Sequence, residues 1–368
     1  MADATPYVQG VHLQRTDEHV AEIAALAAVL GEPTGLDGLL GELEHAARRV
    51  RLPRLLGRAV AEAYRWDRYD TRDHDWYPQG ISTSADASDT ETVDIAGEGR
   101  RLLVATWHST GKAASNRGSR VTFLDLDSLR YRHVLLVLPR LDRTGDLSLS
   151  PLRIHAGGIV WAGQWLHIAA THRGFVSARV DDIMRVPGDD IPADQFGYDG
   201  ARVASYGHRY VLPVRFNYQA FTDEGHERLR YSFLSLDRRS DPPALIAGEY
   251  NTGDRPTRLA RYELDPGTWQ LRTGEDGFSR PLGIEDGGVV QMQGVALAAG
   301  RYHVTVSHGP WMPGTVYAGA PGSLRPHRLA MPMGPEDLAY WPSTDRLWSL
   351  TEHPWRRWIV SMRRSSFD

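Results

Sequence analysis

Cysteine is absent from the 368 residues, which excludes disulfides, thiol nucleophiles, cysteine-ligated zinc and iron–sulfur clusters together. Lysine is nearly absent: Lys112 stands alone, and the other basic residues are arginines spread along the chain. With a formal net charge of −4 and no basic stripe to follow a phosphate backbone, a nucleic-acid partner is not expected. No run approaches the roughly 20 apolar residues of a spanning helix, so a membrane partner is not expected either. The start, Met1-Ala2-Asp3-Ala4, lacks the basic and apolar regions of a secretory signal, which points to a cytoplasmic location. Phosphate-cradling glycine motifs and a Gly-x-Ser-x-Gly elbow are missing as well, so neither a nucleotide cofactor nor a serine nucleophile is expected.

What is there is punctuation and aromatics: 36 Gly, 22 Pro, 15 Tyr and 11 Trp. That mixture favours many short strands joined by turns. The first part of the chain reads differently. Residues 16–70 carry helical spacing, first in Val20, Ile23, Ala27 and Leu30, with Thr16 as cap and a stop at Gly31 and Pro33. A second run spans Leu39 to Val50 and a third Leu55 to Ala63. This segment is expected to be helical and to pack on, or cap, the rest. Ahead of it, residues 1–15 contain a weak alternation, Tyr7 to Leu13, that could close the last sheet of the molecule as an extra strand.

From residue 71 onward the period becomes that of strands, and phrases repeat. Tyr77-Pro78-Gln79-Gly80, His155-Ala156-Gly157-Gly158, Tyr198-Asp199-Gly200, Met292-Gln293-Gly294 and Pro335-Glu336-Asp337 each open a small-residue strand. A turn and a second strand follow, ending at Trp107-His108, Thr171-His172, Phe216-Asn217, Ser307-His308 and Glu352-His353. Units starting near 76, 154, 198, 291 and 334 predict an all-β fold, a five-bladed β-propeller over 71–368 with a small N-terminal helical segment. Small residues suit the innermost strands, which crowd at the axis.

The phrases Asp75-Trp76-Tyr77-Pro78-Gln79-Gly80, Tyr131-Arg132-His133-Val134-Leu135-Leu136-Val137, His155-Ala156-Gly157-Gly158-Ile159-Val160-Trp161 and Leu347-Trp348-Ser349-Leu350-Thr351-Glu352-His353-Pro354 resemble those of a family of uncharacterised bacterial five-bladed β-propeller-like proteins, many of them secreted. The resemblance covers most of 75–362 and implies the fold but no reaction. This chain departs from those members in lacking an export signal.

In a propeller each inner strand begins on the face where the second strand ends, because successive strands are antiparallel. Gln79, His155, Asp199, Gln293, Glu336 and Asp337 are therefore expected to share one channel mouth with His108, His172, Asn217, His308 and His353. Convergent polar groups in a concave opening suit a small-molecule substrate. His155, the only histidine at an inner-strand start, is the expected acid/base residue, with Glu336 as its carboxylate partner. Gln79, Tyr77, Asp199, Asn217, Gln293, Asp337, Trp161 and Trp341 are the expected substrate contacts. His108, His172, His308 and His353 could ligate one divalent ion, with zinc, iron or copper suiting nitrogen donors and calcium suiting the carboxylates. Their recurrence has a second reading, as a polar tie between repeat strands. The sequence thus suggests an enzyme acting by acid/base or metal-assisted chemistry as a lyase, isomerase, cyclase or hydrolase. Alternatives are a carbohydrate-active propeller using Asp199, Glu336 and Glu352 and a non-catalytic binding or scaffold protein.

Overall fold

The computed structural model describes residues 7–111, 116–188, 190–253 and 257–368. Before the sheets come strand β1 (Val11–Arg15), helices α1 (Val20–Leu30) and α2 (Gly35–Gly41), strand β2 (Val60–Arg65) and the short helix α3 (Arg68–Arg72). The helical expectation holds only in part. The first helix stops at Gly31, with φ of 98°, a backbone conformation that glycine adopts without a Cβ penalty. Thr16 caps nothing; its hydroxyl accepts from the Asn217 amide. The second helix ends at Gly41, and the expected third one is a 3₁₀ turn, Pro53–Leu56, followed by β2. Val60 and Ala63 bury against a sheet, and that pairing overrides helical spacing.

Val20–Gly41, at mean hydropathy 1.4, is apolar and long enough by composition to cross a membrane, which corrects the expectation that no such run exists. In the fold it is two helices broken at a turn. Thr34 donates to the Ile183 carbonyl, and Ile23, Leu26, Leu36 and Leu39 are buried in the cores of the sheets.

The remainder is a series of antiparallel meanders. The first comprises β3 (Trp76–Thr83), helix α4 (Ser84–Ala87), β4 (Leu102–Ser109), β5 (Ser119–Asp125) and β6 (Arg130–Leu141). The second is β7 (Ile159–Ala162), β8 (Trp165–Ala169), β9 (Gly174–Arg179) and β10 (Tyr210–Thr222). The third is β11 (Phe233–Asp237), β12 (Ala244–Gly248), β13 (Arg258–Glu263) and β14 (Gly283–Asp286). The fourth is β15 (Met292–Ala298), β16 (Arg301–Val306), β17 (Pro313–Gly319) and β18 (Arg325–Met333). Last come β19 (Pro335–Trp341), β20 (Arg346–Thr351) and β21 (Trp358–Arg363), and here β2 supplies the next strand.

The opening strands touch in the cyclic order β3, β7, β11, β15, β19 and back to β3, a propeller-like arrangement. Glycine makes that approach feasible. A Cβ on Gly158 would lie 2.3 Å from the Leu234 nitrogen, and one on Gly294 would lie 2.5 Å from the Asp337 Cα.

Two features depart from a plain ring of antiparallel meanders. The outer strands β6 and β10 pair in parallel from Leu135–Val211 to Val137–Pro213. The first two meanders thereby form one nearly closed sheet of eight strands, with Val104, Phe123, Leu136, Trp161, Leu212 and Val214 buried inside it. Such pairing also covers two edges that would otherwise be open. Secondly, β1 pairs with β10 along Val11–Thr222 to Arg15–Tyr218. This corrects the expectation that residues 1–15 close the last sheet, whose edge β2 already occupies; residues 1–6 lie outside the described part. A boundary at residue 70 is likewise corrected, since β2 precedes it and belongs to the last sheet.

The third repeat is also corrected. Tyr198-Asp199-Gly200 belongs to a hairpin, Phe196–Tyr198 with Val203–Ser205, and Phe216-Asn217 lies in the outer strand β10. The true third inner strand, β11, carries no glycine signal. Its phrase is Ser232-Phe233-Leu234.

Candidate active site at the axial mouth

The starts of the inner strands and the ends of their partners lie at one end of the ring, because β3 with β4, β15 with β16 and β19 with β20 are antiparallel. All three inner strands carry a register shift at their start: between Pro78 and Ile81, between Met292 and Gly294, and between Pro335 and Leu338. A bulge re-aims side chains. The residues inside these shifts are Gln79, Gly80, Gln293, Glu336 and Asp337.

Glu336 is 3% exposed. Burial pushes its carboxyl well above the usual range, and the charges of Glu352 and Asp337 push the same way, so its protonated form is favoured. Glu352, whose charge acts on Glu336, accepts from Gln79 Nε2 at 3.2 Å and lies 3.6 Å from His353 Nδ1. Gly334 makes this meeting possible. It has φ of 64°, a Cβ there would lie 2.5 Å from the His353 ring, and its carbonyl accepts from the Glu352 amide. Asp337 is fully buried; its Oδ2 accepts from the Ile81 amide at 3.2 Å and the Ile159 amide at 3.3 Å. It ties three inner strands together, which accounts for its burial in place of the expected substrate contact. Burial raises this carboxyl well above its usual range as well.

A second group adjoins β3 and β4. The His108 and His155 rings lie 4.4 Å apart, centroid to centroid, and Tyr77 is 6.2 Å from His108. Burial, with His155 nearby, drives His108 down to about 3, and burial lowers His155. Both are therefore neutral. The structure thus sets His155 beside His108, and among the described residues no ion pair or hydrogen bond joins His155 to Glu336. Arg357, fully buried, donates to the Glu352 and Asp70 carbonyls at 2.7 and 2.6 Å and lies 5.0 Å from the Tyr77 ring centre.

Other expected residues go elsewhere. Asp199 is in an exposed turn, accepting from the Ala201 and Arg202 amides. Asn217 is in β10, bonded to Thr16. Trp161 and Trp341 are buried in hydrophobic cores, against Phe123 and Trp348, because both fall late in their strands, away from the starts at the mouth. Gln293 keeps its place at the start of β15, half-buried. Tyr250 and Asn251, which follow β12, were not among the expected residues. The signal was available: with the third unit set at β11, Glu249-Tyr250-Asn251 occupies the place of Trp107-His108.

The four histidines do not form one ligand set. His308 Nε2 is 2.9 Å from Thr315 Oγ1, and the His172 carbonyl accepts from Arg228. Among the described residues, the group whose donor atoms all lie within 4.8 Å of one another is His45, Asp67 and Asp70, which could hold a metal ion. Asp70 there also accepts from Arg120, Tyr131 and His133.

Comparison with family models gives no match, and neither does comparison with curated proteins. Among solved structures, a gluconolactonase of Xanthomonas campestris is 11% identical, with 95% of each chain covered and a TM-score of 0.37. A GH43_1 enzyme of Xanthomonas citri complexed with xylotriose is 13% identical over 83% of this chain and 90% of that one, at 0.34. The β-propeller domain of Myceliophteria thermophila Cps50 (Swd1) is 10% identical over 78% and 96%, also at 0.34. At these values no residue role is transferred.

Proposed function

We propose that the chain is a five-bladed β-propeller enzyme, hydrolase-like, that converts a small organic substrate at the axial mouth by acid/base chemistry. The observation that supports this best is the pair Glu336 and Glu352: one carboxyl buried, which favours its protonated form, and its neighbour held by Gln79. Glu336, whose protonated form burial favours, acts as the acid, and Glu352 as the base that takes a proton from the attacking water. Neutral His108 and His155, with Tyr77, offer hydrogen bonds and ring faces to the substrate. Metal-assisted chemistry would draw on His45, Asp67 and Asp70, and elemental analysis of the purified protein tests that route.

The deciding experiment is a hydrolysis screen with chromogenic esters, lactones and aryl glycosides, repeated on Glu336→Gln and Glu352→Gln. Turnover that falls about 10²- to 10⁴-fold in both variants, with melting temperature retained, supports the proposal. Turnover unchanged in both variants overturns it. Ligand binding without turnover would establish the non-catalytic alternative.

A further inference from the structure

The seam between β6 and β10 is only three residue pairs long, and it ends at Pro213, which has no amide hydrogen to continue the ladder. Beyond it the strands diverge. β6 turns to pair with Leu147–Pro151, while β10 runs on between β9 and β1. The fork leaves a cavity of about 570 Å³, within the range of small-molecule sites. Its floor is apolar, with Leu152, Ile154, Phe175 and Val176. At its rim stand Arg140 and Arg173, both exposed and without an ion pair or side-chain hydrogen bond among the described residues. The lining contains no aspartate or glutamate, although the chain as a whole is acidic.

We propose that this fork binds a small amphipathic carboxylate, its apolar body on the floor and its head group on Arg140 and Arg173. Guanidinium groups recognise carboxylates through two parallel hydrogen bonds, and an apolar floor selects against small hydrophilic anions such as acetate. Asn217, whose side-chain amide has no hydrogen bond among the described residues, adds a neutral donor. The lining contains none of Gln79, His108, His155, Glu336 and Glu352, so the site does not depend on the chemistry proposed at the mouth.

The test is calorimetric titration of the full chain with octanoate, octanol and acetate. Octanoate should bind with Kd below about 1 mM and at least about tenfold more tightly than octanol or acetate. The double variant Arg140→Gln, Arg173→Gln should lose the preference for octanoate over octanol. Ala220→Trp, which fills the fork from its half-buried rim, should lose both ligands. Melting curves establish that each variant is folded, and Glu336→Gln should bind octanoate as the parent does. The proposal is overturned if octanoate and octanol bind the parent equally, if octanoate shows no heat at about 10 mM, or if the double variant keeps its preference.

Discussion

Carboxyl groups near the axis differ from those on the surface in what happens when they lose a proton. Asp86 in α4 is buried, and burial raises it to about 7 even though Ser82 and the Thr83 amide bond to it. Its ordinary value is 3.8. Between those two pH values the folded protein therefore binds a proton that the unfolded chain has released, so stability falls as pH rises through the interval. The full effect is about 4 kcal/mol. Replacing Asp86 with asparagine, which keeps an acceptor for Ser82 but cannot ionise, should flatten the dependence between pH 4 and 7. Urea titrations of both proteins across that range check this; parallel curves would contradict it. Glu336 works in the same direction from a base of 4.5, so Glu336→Gln should be more stable than the parent at alkaline pH even as turnover falls. Stability and activity moving apart in one variant would distinguish a chemical role for Glu336 from a structural one.

At the scale of elements, ring closure depends on two kinds of contact. One is backbone proximity: at Gly158 an added methyl group would meet β11 main chain at 2.3 Å, and main chain cannot step aside as a flexible side chain can. Gly158→Ala should cost about 1–3 kcal/mol, measurable as a lowered denaturation midpoint, whereas Gly253→Ala, with open space around it, should cost far less. The other is the buried network on α3. Asp70 accepts from Arg120 at 3.0 Å, Tyr131 at 2.5 Å and His133 at 2.9 Å, and its carbonyl accepts from Arg357, which immediately precedes β21. Removing the carboxylate strands a buried Arg120, so Asp70→Ala should destabilise by about 3–5 kcal/mol. Equal stability of the two proteins would refute the network's role. These elements also show what was legible in sequence. Glycines at strand starts announced Gly158 and Gly294, and through them the mouth end where Glu336, Gln79 and His108 lie. Asp199 shared the same glycine phrase for a different reason, a hairpin turn, while β11 packs at the axis without one. Periodicity could not identify β2 either: Val60 and Ala63, three apart, fit a helix face, and they share a strand face only through the register shift opposite Ser361 and Met362 of β21, some 300 residues on.

For the whole molecule, closure is non-local. The last sheet takes β2 against β21, from Trp358–Arg65 to Met362–Val60, so residues from both parts of the chain complete one meander. A fragment of residues 71–368 would retain every strand from β3 to β21 and the residues of the mouth, yet expose the edge of β21 and the apolar faces of Val360 and Met362. Unpaired edges with buried-type side chains associate with one another. It would also lose Asp70 and the tie from α3 to Arg357. The expected outcome is a fragment that aggregates or fails to give a cooperative melt, while the full chain melts cooperatively. Adding a peptide of residues 45–70 should recover the cooperative transition if pairing at this edge is what closes the ring. Native-like melting of the fragment alone would show instead that the first part of the chain is an accessory to a ring already complete.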